Sequence, residues 1–257
     1  MIIPGLTSIT FRPLEPEAIV ELASEAGLKS IEWGGDVHVP HGDTAAAERI
    51  RRISEDAGLL LPSYGSYYRV GASEGKGPDF QSVLDSAEAL GVHTIRVWAG
   101  VSGSETATPE DRAAVVEDLR RIADMAAALG MVVATEYHAN TLTDTVESAA
   151  QLMSEADHPA ALTYWQTPNG TSHEHRLRSL EAALPKLANL HVFHWVATEN
   201  GNDRRPLAEG EESWKEYLRT AQDTAWDHHA LLEFVRGDSQ QQLVEDAATL
   251  NRCIRAI

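Results

Sequence analysis

Short apolar runs alternate along this chain with longer segments in which apolar residues recur every three or four positions. The runs predict strands and the longer segments amphipathic helices. In the first half the change from one to the other carries a repeated phrase. A helical stretch ends in a small residue or leucine followed by glycine, and an apolar run begins at once. The phrase reads A-G-L-K-S-I-E-W at Gly27, A-G-L-L-L-P-S-Y at Gly58, L-G-V-H-T-I-R-V at Gly91 and L-G-M-V-V-A-T-E at Gly130. Glycine at that place closes a helix in the left-handed conformation and turns the chain directly into a strand.

The pattern predicts strands at 6–11, 30–33, 59–63, 94–98, from 131, 161–166, 190–194 and 231–235. Helices are predicted at 15–26, from 44, 79–90, 108–129, 145–155, 174–184, 213–225 and 240–255, with a long loop at 196–209. Eight strand–helix pairs in a chain of 257 residues point to a parallel α/β fold, a (β/α)8 TIM barrel. No linker or low-complexity stretch divides it, so 1–257 is read as a single domain. The rival, an open doubly wound sheet, lacks a G-x-G-x-x-G turn after the first strand.

Charge narrows the range of partners. The formal net charge is -18, which argues against a nucleic-acid or anionic-membrane surface. The single cysteine, Cys253, excludes an intrachain disulfide and a thiolate zinc cluster. The start, M-I-I-P-G-L, has neither a basic segment nor a long apolar one, and no run approaches a membrane span. The expectation is a cytoplasmic protein. A homo-oligomer is compatible with all of this.

In a barrel of this kind the chemistry sits at the C-terminal strand ends. The fifth strand, M-V-V-A-T-E-Y-H-A-N, ends with Glu136 and His138 on one face. The sixth brings Gln166 and then Asn169, the seventh His191 and His194, and the eighth Glu233 in otherwise apolar surroundings. Alternation allows only one of the two histidines to point inward. Glu136, Gln166, His191 and Glu233 thus form four oxygen or nitrogen donors on successive strands, a candidate cage for one divalent cation. A buried glutamate without a partner is costly, and two that converge are better explained with a cation between them. Each residue alone also has a plain structural explanation, as a solvated rim carboxylate or a hydrogen-bonded core histidine.

These segments resemble the xylose-isomerase-like TIM barrel superfamily, the sugar phosphate isomerase/epimerase group. The similarity lies in G-L-T-S-I-T-F, S-I-E-W-G-G, V-V-A-T-E-Y-H, N-L-H-V-F-H-W, L-L-E-F-V and P-L-A-E-G-E-E-S-W, in that order along the whole chain. The resemblance implies a divalent metal ion (Mn2+, Mg2+, Co2+ or Zn2+) held by Glu136, Gln166, His191 and Glu233, with His191 preferred to His194. It also marks a departure. The family usually has aspartate where Gln166 stands and histidine where Asn169 stands. Two ligand carboxylates balance a dication where three would exceed its charge, so the metal should be a stronger Lewis acid, less tightly held.

The expected activity is isomerisation or epimerisation of a carbohydrate or keto acid, by proton abstraction next to a carbonyl. Glu136 and Glu233 are the catalytic pair. His138, Asn169, Glu32, Trp33, His38, Arg96, Trp98, Trp195 and Arg205 are candidate substrate contacts, with Tyr67 and Arg204 beside them. A metal-dependent lyase or dehydratase shares the same enolate chemistry, and a sugar-binding barrel without catalysis is the third reading. Endonuclease activity is disfavoured by the charge and the missing ligands.

Overall fold

The computed structural model describes residues 1–257. The chain runs β1 (Ile2–Thr7), α1 (Pro16–Glu25), β2 (Ser30–Gly34), α2 (Thr44–Asp56), β3 (Ser63–Arg69), α3 (Phe80–Leu90), β4 (Thr94–Trp98), α4 (Pro109–Ala128), β5 (Val132–Glu136), α5 (Val146–Ala156), β6 (Ala161–Trp165), α6 (His173–Ala183) and β7 (Leu187–Val192). An antiparallel hairpin follows, β8 (His194–Thr198) and β9 (Gly201–Arg205), then α7 (Glu211–Gln222), β10 (His228–Leu232) and α8 (Gln240–Arg255). Strands β1 to β7 and β10 close into a parallel barrel in sequence order, β10 pairing with both β7 and β1. The helices surround it, so the predicted (β/α)8 barrel is the observed fold.

Local chemistry accounts for the helix limits. At α4, Thr108 and Asp111 form a reciprocal capping box with Pro109 as the first helical residue. Gly91 closes α3 at φ 76°. Serine, threonine or aspartate side chains also cap α2, α3, α5, α6 and α8. No helix is long and apolar enough to cross a membrane.

Four strands lie away from their predicted places. Strand β1 is Ile2–Thr7, and the apolar 8–11 continues as a 3-10 turn, Ser8–Phe11. Strand β3 is Ser63–Arg69, while the leucine run before it makes an isolated bridge at Leu60. Strands β7 and β10 begin three residues before the predicted 190 and 231. An apolar run marks burial, which 3-10 turns and strand approaches share with strands, so it locates a strand only to within a turn. The predicted loop at 196–209 contains most of the β8–β9 hairpin.

Burial separates two interiors. One continuous apolar core fills the space between barrel and helices and holds Trp33, Trp165 and Trp214. Inside the barrel, Ala134, Tyr164 and Leu231 form a small separate cluster. Each stands two residues before a predicted ligand, Glu136, Gln166 and Glu233, as an inward-facing period of two requires.

Candidate metal centre

The next inward layer toward the strand ends carries the chemistry. It contains Glu32 from β2, Gly65 from β3, Arg96 from β4, Glu136 from β5 and His191 from β7, together with Gln166 and Glu233 just beyond β6 and β10. Glu136, His191 and Glu233 are all buried and bring one donor atom each within 4.8 Å of one another. His191 Nδ1 lies 3.6 Å from an oxygen of Glu136 and 3.6 Å from one of Glu233. Its Nε2 lies 3.4 Å from Glu32. Neither ring nitrogen has a hydrogen-bond partner. A buried imidazole unpaired at both nitrogens and ringed by carboxylates fits a cation on the Nδ1 side, with Glu32 as the outer carboxylate that orients the ring.

The two oxygens of Glu136 have different surroundings. Oε2 accepts from Arg96 Nη1 and from the Trp98 indole. Oε1 faces His191 and accepts from the Gln166 amide at 3.1 Å. Gln166 also donates to the Tyr137 carbonyl at 2.6 Å, which fixes its amide nitrogen toward Glu136. Gln166 therefore adjoins the triad as a hydrogen-bond donor to Glu136 Oε1.

Charge follows from this wiring. Burial alone would raise the Glu136 carboxyl, but Arg96 and His191 outweigh it and hold it well below the usual carboxylate range. Burial opposes ionisation of Glu32 too, yet Arg96 and His191 bring it to about 2. Glu233 goes the other way: burial raises it, and the charge of Glu136 adds to the effect against the pull of His191. Burial would lower His191, but Glu233, Glu136 and Glu32 raise it to about 10.

The structure redistributes the other candidates. Trp98 is half-buried at the rim, stacked on His138 with ring centres 4.5 Å apart. His138 Nδ1 lies 2.7 Å from the Ala139 carbonyl, so that nitrogen donates and Nε2 has no partner in the protein. His138, Gln166 and exposed Asn169 line a polar cleft of about 540 Å³ between the loops after β5 and β6. Trp195, on β8, stacks on Phe193 at 4.2 Å and faces Phe234 at the mouth.

Four expected substrate contacts have protein partners of their own. Trp33 alternates with Glu32 along β2, so it faces outward, is fully buried and bonds Ser54 of α2. His38 bonds Ser8 and the Leu14 carbonyl through its two ring nitrogens, pinning the loop after β2. Glu32 and Arg96 do point inward, but each is about 1% exposed and lies within the wall of the centre, bonded to the other. Alternation on β9 also separates the two loop arginines. Arg205 is exposed and pairs with Asp203, whereas Arg204 pairs across with Trp195, lies over Phe234 and bonds Asp238.

Three residues with a place here carried no pattern strong enough to select them. Arg12 bonds the Tyr67 hydroxyl and Asp36 and lies over Phe234. Phe234, the residue after Glu233, has φ 47°, and Tyr67 has φ 56°. Left-handed backbone at aromatic residues costs on the order of 1–3 kcal/mol and collects at functional sites. Gly65 is the third: a Cβ there would stand 2.6 Å from Arg96 Nη2. The one available signal was that glycine within an aromatic strand, a mark of close approach by another group.

The chain belongs to the xylose isomerase-like TIM barrel family, which it matches over residues 20–253. Among curated proteins it is similar to a 3-dehydroshikimate dehydratase of Bacillus anthracis, 27% identical over 283 aligned positions that cover 98% of each chain. Among solved structures it is similar to the probable 3-DHS dehydratase AsbF involved in petrobactin synthesis from Bacillus anthracis. That likeness has a TM-score of 0.80 at 23% identity and covers 98% of this chain and 99% of the other. D-psicose 3-epimerase from Clostridium cellulolyticum H10 shares the fold with a TM-score of 0.70 at 16% identity, covering 98% of both chains.

Proposed function

We propose that this protein is a divalent-metal-dependent lyase that removes water from a hydroxylated keto acid of the 3-dehydroshikimate type. The observation that carries the reading is the convergence of Glu136, His191 and Glu233 around an imidazole with no protein partner. The full-length similarity to a dehydratase supports the substrate class.

A divalent cation held by Glu136, His191 and Glu233, with Gln166 adjoining, would polarise the substrate carbonyl and stabilise the negative charge developed beside it. The protein's own groups then divide the proton work. Glu136 is a poor base, because Arg96 and Trp98 occupy one oxygen, and Arg96 and His191 outweigh burial and hold the carboxyl ionised at low pH. His138 is better placed: its Nδ1 is committed to the Ala139 carbonyl, its Nε2 is free, and it stands on Trp98 beside Glu136. His138 takes the proton from the carbon next to the carbonyl and returns it to the departing β-hydroxyl, so that water leaves and no outside acid is needed. Asn169 and the neighbouring polar groups of the cleft bind hydroxyls, while Trp98 and Trp195 shield the centre from water.

Isomerisation or epimerisation stays as the second reading, carried by Glu233. Burial raises this carboxyl, and like Glu136 it lies 3.6 Å from His191 Nδ1, so a second base is at hand.

The test is incubation with Mn2+ and 3-dehydroshikimate, followed by ultraviolet absorbance. Loss of water and tautomerisation give an aromatic dihydroxybenzoate with a new absorption band. Its appearance, abolished by chelator, is the expected result. Uptake of solvent deuterium into the substrate without water loss would move the epimerase reading ahead. Neither signal, with no Mn2+ bound, would sink the metal-dependent readings together.

A further inference from the structure

Arg96 is the one arginine inside the barrel wall at this level. It is about 1% exposed and joins two carboxylates, Nε to Glu32 at 2.9 Å and Nη1 to Glu136 Oε2. Its third nitrogen, Nη2, is buried without a partner and rests against Gly65. Burying an arginine is costly, and replacing a buried ion pair by apolar side chains is often neutral or stabilising. Holding the fold together is therefore a weak explanation for it.

What it touches suggests a better one. Glu136 is a ligand of the candidate centre, and Glu32 faces the far nitrogen of the ligand His191. Arg96 occupies the Glu136 oxygen that points away from His191 and leaves Oε1 facing the centre. It also sets the charge of the enclosure. Glu32, Glu136 and Glu233 supply three negative charges and Arg96 removes one. With His191 neutral, as a ligating imidazole must be, the enclosure carries the charge complementary to a dication.

We propose that Arg96 is a positioning residue for the cation site: it makes Glu136 a one-oxygen ligand and holds the enclosure at two net negative charges. The cation is thereby kept exchangeable, and the mutual repulsion of three buried carboxylates is relieved in the metal-free protein. Gly65 belongs to the same device, because any side chain there would displace the guanidinium. The inference rests on the metal-dependent reading proposed above.

The test is calorimetric titration of Mn2+ at pH 8 into chelator-treated wild type, Arg96→Met and Arg96→Lys, with thermal melts in chelator and in Mn2+. Removing the positive charge should tighten Mn2+ binding by about tenfold or more, since like charges in a low-dielectric site repel strongly until a cation enters. In chelator Arg96→Met should melt lower than wild type, and Mn2+ should raise its melting temperature by more than it raises that of wild type. Arg96→Lys, which keeps the charge, should return the affinity toward the wild-type value. Should Arg96→Met not fold without metal, Gly65→Ala shifts the guanidinium while retaining it, and is expected to tighten binding about threefold.

A merely structural arginine would lower every melting temperature and leave the affinity alone. Unchanged or weaker Mn2+ binding in Arg96→Met, or in Gly65→Ala where that variant stands in, overturns the proposal; an Arg96→Lys chain indistinguishable from Arg96→Met overturns the charge account. Wild type that binds no Mn2+ overturns the metal reading and this inference with it, whereas wild type that binds normally beside an unaltered Arg96→Met overturns this inference alone.

Discussion

Two polar layers are stacked inside the barrel, and they differ in one respect. In the layer nearer the strand starts, every polar side chain that meets another is paired. Asn189 Nδ2 donates to the Tyr164 hydroxyl at 2.8 Å, and that hydroxyl donates to Ser63 at 2.6 Å. Asn189 Oδ1 accepts from the His229 backbone, and the His229 ring bonds Ser30 at 2.8 Å. In the layer above, both nitrogens of His191 and one of Arg96 lack partners. The layers meet where Ser63 donates to Glu32. Burial and polarity are alike in both; satisfaction is not. A closed network specifies the barrel interior, while open valences beside it mark where something else is to bind.

The sharpest way to break this contrast is to remove a side chain from the open layer. Glu233→Ala should abolish stoichiometric Mn2+ binding in calorimetry. If the proposed activity holds, the rate should fall by about a thousandfold or more, as loss of the charge-stabilising group implies. Its melting temperature in chelator should not fall, because a buried carboxylate with no hydrogen-bond donor costs more than it returns. A marked loss of stability without loss of metal would reverse the assignment of the two layers.

A smaller effect separates the layers by pH. Burial brings His229, in the closed layer, down to about 4 from its usual range, with Asp227 opposing and His228 assisting. The unfolded chain therefore binds a proton between the ordinary histidine pKa and about 4 that the folded chain refuses. Stability from this residue is fully present above the upper limit and is lost as pH falls through the window, by about 3 kcal/mol in all. Urea melts of wild type and His229→Gln should show a stability difference that shrinks by roughly this amount from pH 7 to pH 4. A difference independent of pH would mean that His229 is not held neutral by the barrel.

Sequence periodicity located the inward-facing polar positions better than the strand ends. Alternation puts Glu136 and Glu233 on inward faces and is insensitive to where a strand stops. Alternation left one of His191 and His194 inward, and the family resemblance favoured His191, although β7 begins three residues before its predicted place. Strand limits at β1 and β3 were less legible, because the same apolar residues can fill a 3-10 turn or a strand approach. Roles were least legible where they depend on closure of the barrel. Glu32 and Arg96 are distant from Glu136 in sequence and meet it only when β2, β4 and β5 curve round one axis. Trp33 shows the converse: it was read for its aromatic chemistry, while its parity along β2 sends it outward to Ser54.

The smallest expected effect tests whether the closed layer is only structural. Tyr164 stands beneath His191 with ring centres 5.1 Å apart, and its hydroxyl links Asn189 to Ser63 and so to Glu32. Tyr164→Phe keeps the ring and deletes one donor and one acceptor. Asn189 and Ser63 each lose a partner in a site closed to water, so stability should fall by about 1–2 kcal/mol in urea melts. Mn2+ affinity should stay within about twofold of wild type, because Glu32 keeps its bond to Arg96 and its place beside His191. If affinity instead moved tenfold with so small a change, the line from Asn189 through Tyr164 to Glu32 would belong to the cation site. The two layers would then be one network, whose satisfied half holds the open half in shape.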